Sequence, residues 1–161
     1  MAKLSESVYD GVRIAAISIT NVKELFELMQ DSLIQQYIPE AYKTEDELFE
    51  SVYRTQFDTN YYTGIFDDKT NEMVGGIIAT AYPGTPAILN ISIFTKASTR
   101  KKGYMRKALI AFKNAMPPSH TLIFRVLNYN YASINTVSKI IGIKEVEVFP
   151  GDPYREFHIV T

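Results

Sequence analysis

Five cations with no acid among them, Arg100, Lys101, Lys102, Arg106 and Lys107, crowd a turn that leads into a helix opening at about Gly103. Leu109, Ile110 and Phe112 give that helix apolar positions. A helix N-terminus carries partial positive charge and exposed N–H groups, so each cation there costs roughly 0.3–1 kcal/mol unless an anion compensates. Just upstream, Ile88 to Thr95 reads as a β-branched strand. Strand, basic glycine-containing turn and helix N-terminus together make an anion site. The chemistry expected of the stretch from Ile88 to Phe112 is the binding of a phosphate-bearing ligand.

The elements that must position this stretch follow from the rest of the pattern. Val12 to Ile19 reads as a strand, and Thr20 as the N-cap of a helix whose apolar positions run from Leu25 to Ile34, up to an interruption at Pro39. Thr44 and Glu47 form a capping-box pattern for a second helix, Glu45 to Thr55. Its acidic start suits the helix dipole, and the cationic start of the later helix stands out against it. Tyr61 to Phe66 and Met73 to Ala81 are strands joined by the hairpin loop Asp67 to Glu72, and Gly75 with Gly76 signals a bulge or a close backbone approach. Pro117 and Pro118 end the central helix, and Thr121 to Leu127 is the next strand. Tyr131 to Ile141 is a helix stopped by Gly142. Ile143 to Phe149 and Tyr154 to Val160 are closing strands around a Pro-Gly-Asp-Pro turn. The order β-α-α-β-β-β-α-β-α-β-β predicts one α/β domain over residues 1–161, a mixed sheet of about seven strands with helices on both faces.

Composition narrows the function. With 161 residues, 46% hydrophobic and 22% charged, the chain is globular. Cysteine is absent, which excludes a disulfide scaffold, a thiolate metal site and a cysteine nucleophile and suits a reducing cytosol, the expected location. No stretch has the length and apolarity of a signal peptide or membrane span. The net charge of −1 hides an asymmetry: from Met73 to Lys144 there are ten Lys or Arg and no Asp or Glu. That block points to a polyanion, a phosphorylated cofactor or nucleic acid. Nucleic acid is the weaker reading, because the charges gather on one turn and helix without interleaved aromatics. His120 and His158 show no metal-ligand spacing with the acids, so no metal is expected.

With the element order in view, Arg100-Lys101-Lys102-Gly103-Tyr104-Met105 resembles the pyrophosphate-binding motif of the GNAT superfamily of N-acetyltransferases, in which Arg or Gln precedes Gly by three residues and Gly or Ala follows two later. Asn130, Ser133, Lys139 and Gly142 match a second landmark of that family, downstream of the strand Thr121 to Leu127. The resemblance runs from Arg13 to Val160 and looks closest to the branch acting on protein N-termini. It implies acetyl coenzyme A as cosubstrate. The pantetheine arm would pair with the backbone at Phe94 and Thr95, the pyrophosphate would sit on Arg100 to Met105, and Asn130 and Ser133 would flank the cofactor. An amine acceptor, from a protein or a small molecule, would attack the thioester directly, and a homodimer paired through the last strands is implied as it is for many relatives. The chemistry asks for positioning, removal of an amine proton, stabilisation of the oxyanion and protonation of the leaving thiolate.

The sequence departs from the family pattern at three points. Met105 stands where Gly or Ala is usual. Ser138 stands at the position of the family's frequent tyrosine acid, with Tyr129 and Tyr131 in the preceding loop as substitutes. The central block holds no carboxylate, so a general base must come from Glu40, Glu45, Glu145 or a water chain. These departures motivate an alternative, a catalytically impaired GNAT-fold interaction or assembly module. Arg125 is expected to be a paired or edge residue, His158 a structural one, and Tyr53, Phe57, Tyr61 and Tyr62 core aromatics or an acceptor groove.

Overall fold

A computed structural model of the chain describes residues 4–37, 43–54 and 60–161, and at its centre is one sheet of eight strands. These are β1 (Ser7–Tyr9), β2 (Val12–Ala16), β3 (Tyr61–Asp67), β4 (Met73–Tyr82), β5 (Thr85–Thr95), β6 (Thr121–Leu127), β7 (Lys144–Val146) and β8 (Tyr154–Val160). Their spatial order is β1-β2-β3-β4-β5-β6-β8-β7. Every neighbouring pair is antiparallel except β5 with β6. The helices are α1 (Val22–Met29), α2 (Ser32–Tyr37), α3 (Glu45–Arg54), α4 (Tyr104–Ala115) and α5 (Tyr131–Val137).

The helices cover both faces of the sheet, as the pattern predicts. Leu25, Met29, Ile34 and Leu48 of α1 to α3 pack with Phe66, Ile78 and Phe94 on one side. Leu109 and Phe112 of α4 and Ile134 of α5 pack with Ile14, Ile77, Leu89 and Phe157 on the other. The expected count of about seven strands is corrected to eight by β1. Asp10 and Gly11, both at positive φ (46° and 77°), turn the chain so that Tyr9 pairs with Val12. Asp-Gly is a hairpin signal, but a strand of only three residues is too short to show an alternation.

Local hydrogen bonds move several other boundaries. The first long strand stops at Ala16 rather than Ile19, because the Ser18 N–H donates to Asn21 Oδ1 at 2.7 Å and the chain enters a 3-10 turn over Ile19–Asn21. The N-cap of α1 is Asn21, and Thr20 lies inside that turn. The helical run expected from Leu25 to Ile34 breaks at Asp31, whose Oδ1 accepts the N–H groups of Leu33 (2.9 Å) and Ile34 (3.2 Å) and restarts the helix as α2. The capping box of α3 forms in both directions, Glu47 N–H to Thr44 Oγ1 at 3.2 Å and Thr44 N–H to Glu47 Oε2 at 3.3 Å. At the other end of the chain α5 closes at Val137 rather than Ile141, and β7 is shorter than Ile143 to Phe149. Pro39, Glu40, Thr55 and Phe57 lie outside the described residues.

Two features shape the region around the basic turn. Gly75 and Gly76 let β4 lie tightly against β5: a Cβ on Gly75 would sit 2.2 Å from the Phe94 carbonyl oxygen, and one on Gly76 would sit 2.7 Å from Phe94 Cζ. The ladder also shifts register where β4 crosses Ile65 and Phe66, so a bulge accompanies the close approach. The second feature is a parting of strands. β5 and β6 pair only through Ile88–Asn90 with Thr121–Ile123, after which β5 runs on to Thr95 and β6 to Leu127.

The start of α4 is pinned from the far side. The Tyr104 hydroxyl donates to Asp67 Oδ2 at 2.5 Å, and Lys107 pairs with Asp10 at 3.1 Å. Asp67 Oδ1 meanwhile accepts the Lys69 and Thr70 N–H groups, both at 3.0 Å, so one carboxylate closes the β3–β4 hairpin and holds the helix. The bond from Tyr104, then that from Thr70, holds the Asp67 carboxyl below the ordinary carboxylate range, and the same pairing with Asp67 pushes the Tyr104 phenol up.

Replacing Gly75 with Ala should lower stability by about 3 kcal/mol, the upper end of what overpacking costs, since the clash is with backbone; denaturant unfolding measures it. Tyr104→Phe tests the pin. A lowered Asp67 pKa contributes stability above the unfolded carboxylate value and loses it as pH falls through the folded one; a raised Tyr104 pKa contributes below the unfolded phenol value and loses it as pH rises further. The deficit in Tm of Tyr104→Phe against the native chain should therefore be widest between roughly pH 5 and pH 9 and narrow toward both extremes.

Candidate active site

The parting of β5 from β6 opens a cleft, and the basic turn lies along it. After β5 the chain makes a 3-10 turn over Ala97–Thr99, secured by the Thr99 hydroxyl donating to the Lys96 carbonyl at 2.9 Å. Lys101 (φ 65°) and Gly103 (φ 79°) are both left-handed, so the backbone curls on either side of Lys102 before α4 departs. A turn of this kind directs N–H groups toward a common point. Gly103 is the N-cap and makes no side-chain cap bond, and the first turn of α4 carries no acid.

Phe94, Thr95, Arg100, Lys101, Gly103, Tyr104, Met105, Asn130 and Ser133 all line one cavity of about 380 Å³. Lys102 is exposed and outside its wall. Asn130 is the N-cap of α5, its Oδ1 accepting the Ser133 N–H at 3.4 Å, which fixes both residues at the mouth of that helix. Met105 is a wall residue, partly buried against the core beneath α4. Leu33, Ile34 and Tyr37 of α2 and Arg106 of α4 complete the lining that matters for charge and shape.

The charges at the turn are unequally satisfied. Arg100 reaches Asp31 at 3.3 Å, the same carboxylate that caps α2. Burial pushes the Asp31 carboxyl up, but the Ile34 N–H, Arg100 and the Leu33 N–H outweigh it, and the net direction is down. Lys107 is engaged by Asp10. Among the described residues Lys101, Lys102 and Arg106 have no carboxylate partner. The cations left over are those nearest the helix start, where an anion would be most stabilised.

A second, smaller cavity of about 60 Å³ continues between the strands, lined by Ser92, Phe124, Arg125 and Tyr154 among others, and it shares Tyr37, Ile93, Asn130 and Ser133 with the first. Arg125 is held by Asp152 (3.1 Å) and Glu156 (3.4 Å) and lies over the Tyr154 ring, so it is the paired residue expected. Glu156 also takes His158 Nε2 at 2.6 Å, which gives His158 a partner within the sheet. His120 Nδ1 lies 3.3 Å from the Pro118 carbonyl.

The expected catalytic residues are less well gathered. Tyr129 and Tyr131 are 53% and 76% exposed and line neither cavity. Ser138 is also outside both, its hydroxyl donating to the Asn135 carbonyl at 3.4 Å. Glu45 is exposed at the start of α3. Glu145 is gripped by Arg155 through bonds of 2.7 and 2.8 Å, a grip that lowers its pKa and makes it a weak base. Tyr53 is exposed, while Tyr61 and Tyr62 pack on opposite faces of the sheet, and none of the three lines either cavity. The residue that sequence reasoning missed is Tyr37. It follows Leu33 and Ile34 at helical spacing, a signal that reads as core, yet it lines both cavities. No group of three His, Asp or Glu that could hold a metal, and no helix long and apolar enough to cross a membrane, occurs among the described residues.

Comparison with known proteins agrees with this architecture. The family described as an acetyltransferase (GNAT) domain matches residues 12–141. A GNAT-family acetyltransferase from Bacillus anthracis superposes with a TM-score of 0.74 at 21% identity, covering 97% of this chain and 98% of that one. RimL, a ribosomal L7/L12 alpha-N-protein acetyltransferase, gives 0.74 at 16% identity, covering 98% and 94%. The spermidine N-acetyltransferase of Vibrio cholerae, solved with CoA and spermine, gives 0.74 at 15% identity, covering 93% and 95%. At these identities the superpositions speak for the fold alone. No curated protein sequence matches significantly. Taken with a family match over most of its length, the chain belongs to the GNAT acetyltransferase family.

Proposed function

We propose that this protein is an acetyl-CoA-dependent N-acetyltransferase that moves the acetyl group to a primary amine by direct attack. The observation that carries the reading is the convergence of Phe94, Thr95, Arg100, Lys101, Gly103, Tyr104, Met105, Asn130 and Ser133 on one open cleft at the parting of β5 and β6. These residues fit the ligand. The left-handed turn and acid-free helix start suit a diphosphate, and Lys101, Lys102 and Arg106, which have no carboxylate partner among the described residues, would neutralise it and a third phosphate. The end of β5 at Phe94 and Thr95 is the edge against which a pantetheine arm would extend, and Asn130 and Ser133 face it from α5. Acetyl-CoA supplies the activated acetyl group. The chain's part is to bind, to orient the thioester toward the second cavity and to exclude water.

The acceptor would enter by that second cavity, where Ser92, Phe124 and Tyr154 meet the splayed strands. A protein N-terminus, a lysine or a small amine each presents the same nucleophile. RimL and the spermidine enzyme, with this fold and two different amine acceptors in their names, support that range. The alternative, an impaired assembly module, expects Met105 to fill the cofactor site. Met105 instead lines the wall of a cavity of about 380 Å³, and its unbranched, flexible side chain can adapt to a ligand. That favours the enzyme.

Isothermal titration with coenzyme A tests the reading, and saturable binding is expected. The double replacement Arg100→Ala with Lys102→Ala should raise Kd about tenfold or more, the loss of charge-assisted bonds to phosphate being worth about 1.5–3 kcal/mol each. Heat too small to detect at millimolar ligand, or a double variant that binds as the native chain does, would sink the cofactor assignment.

A further inference from the structure

We infer that Tyr37, at the end of α2, is the proton donor to the leaving sulfur. The inference rests on the acetyltransferase reading and assigns a catalytic group within it. The reacting carbon must lie where the cofactor cavity meets the acceptor cavity, since only there can thioester and amine touch. Four residues line both: Tyr37, Ile93, Asn130 and Ser133. Ile93 has no exchangeable proton, and the Asn130 amide caps α5 through Ser133. The Ser133 hydroxyl is an aliphatic alcohol, a far poorer acid than a phenol. Of the other phenols on these walls, Tyr104 is bonded to Asp67 and Tyr154 borders the acceptor cavity alone under the Arg125 guanidinium.

Tyr37 is also held in place. Its ring lies 5.9 Å from that of Tyr129, tilted at 45°, so the loop after β6 braces the last residue of α2 across the cleft. Tyr129, itself outside both cavities, thus acts as a positioning residue. The phenol carries an O–H that can be donated and an oxygen that can accept. As the amine nitrogen bonds to the acyl carbon and the carbon–sulfur bond breaks, the Tyr37 O–H gives its proton to sulfur. The phenolate left behind takes the proton that the nitrogen must lose, directly or through one water. One N–H proton is lost and one S–H is gained, and the phenol is restored without any carboxylate. The missing general base of the central block then has an explanation: the reaction can return the amine proton to the same phenol.

The test uses the full chain with coenzyme A bound, and reads the ionisation of its thiol by the ultraviolet absorbance of the thiolate. A phenol donating to sulfur stabilises the thiolate and makes the bound thiol more acidic. Tyr37→Phe, which keeps the ring against Tyr129, should leave Kd for coenzyme A within about twofold and move the thiol titration upward by roughly one pH unit or more, the scale of one hydrogen bond to a charged group. Tyr154→Phe should leave that titration where it is. If Tyr37→Phe binds coenzyme A and titrates as the native protein does, or if Tyr154→Phe shifts it equally, the assignment to Tyr37 is overturned while the cofactor reading stands. If the native protein binds no coenzyme A, the cofactor reading itself fails.

Discussion

Everything at the candidate site depends on one constraint: β5 can be held by β4 along its length while β6 holds it for only three residues. The pairing with β4 runs to Gly75 opposite Thr95, and the pairing with β6 ends at Asn90 opposite Ile123. Freed from β6, the last part of β5 still needs a rigid backing, and Gly75 and Gly76 provide it by admitting the Phe94 carbonyl and ring where a Cβ would stand. Phe94 is also buried in the core beneath α1 to α3. The same residue therefore fixes the strand, anchors a layer of helices and presents the strand's far edge to the cleft. A wedge built this way remains open because its walls are supported from behind.

The electrostatics follow from where that strand ends. β5 delivers the chain into a turn with two left-handed residues, and α4 starts from it with cations instead of acids. α3, with Glu45, Asp46 and Glu47 in its first turn, shows the arrangement a helix adopts when its N-terminus faces solvent alone. In α4 the opposite choice persists because other contacts hold the helix: Tyr104 on Asp67, Lys107 on Asp10 and the packing of Leu109 and Phe112. Tertiary packing offsets an unfavourable helix end whose first turn carries no acid.

How much of this could be read from the sequence depended on whether the signal was local. The basic turn was legible because five cations at a helix start contradict the dipole, and Gly75-Gly76 because glycine pairs inside a strand have few other causes. The Thr44–Glu47 box was legible as a spacing of types. The eighth strand was not, since Ser7–Tyr9 is too short for a period and depends on pairing with β2. The break between α1 and α2 was hidden because apolar spacing continues across it, and only the Asp31 side chain turning back onto Leu33 and Ile34 marks it. Tyr129 and Tyr131 lie in the loop where a substitute for the tyrosine acid is expected, yet they are 53% and 76% exposed and line neither cavity. Tyr37 lies far from that landmark along the chain and reaches the cleft only through the fold.

That last residue shows why α2 matters more than its six residues suggest. Its N-terminal cap, Asp31, holds Arg100 of the basic turn, and its final residue, Tyr37, stands where the two cavities join. A six-residue helix is about 9 Å long, so the guanidinium end and the phenol end are separated by a fixed, short and rigid spacer. Leu33 and Ile34 lie between, one half-exposed in the cleft and the other buried in the core. Under the proposed reading, the protein would have to match the distance from the diphosphate end of the cofactor to its reacting end, and loops alone match distances poorly. Here a capped helix would set part of that distance. The break at Asp31, which a continuous helix would erase, frees a carboxylate to face Arg100 and still start the element that carries Tyr37.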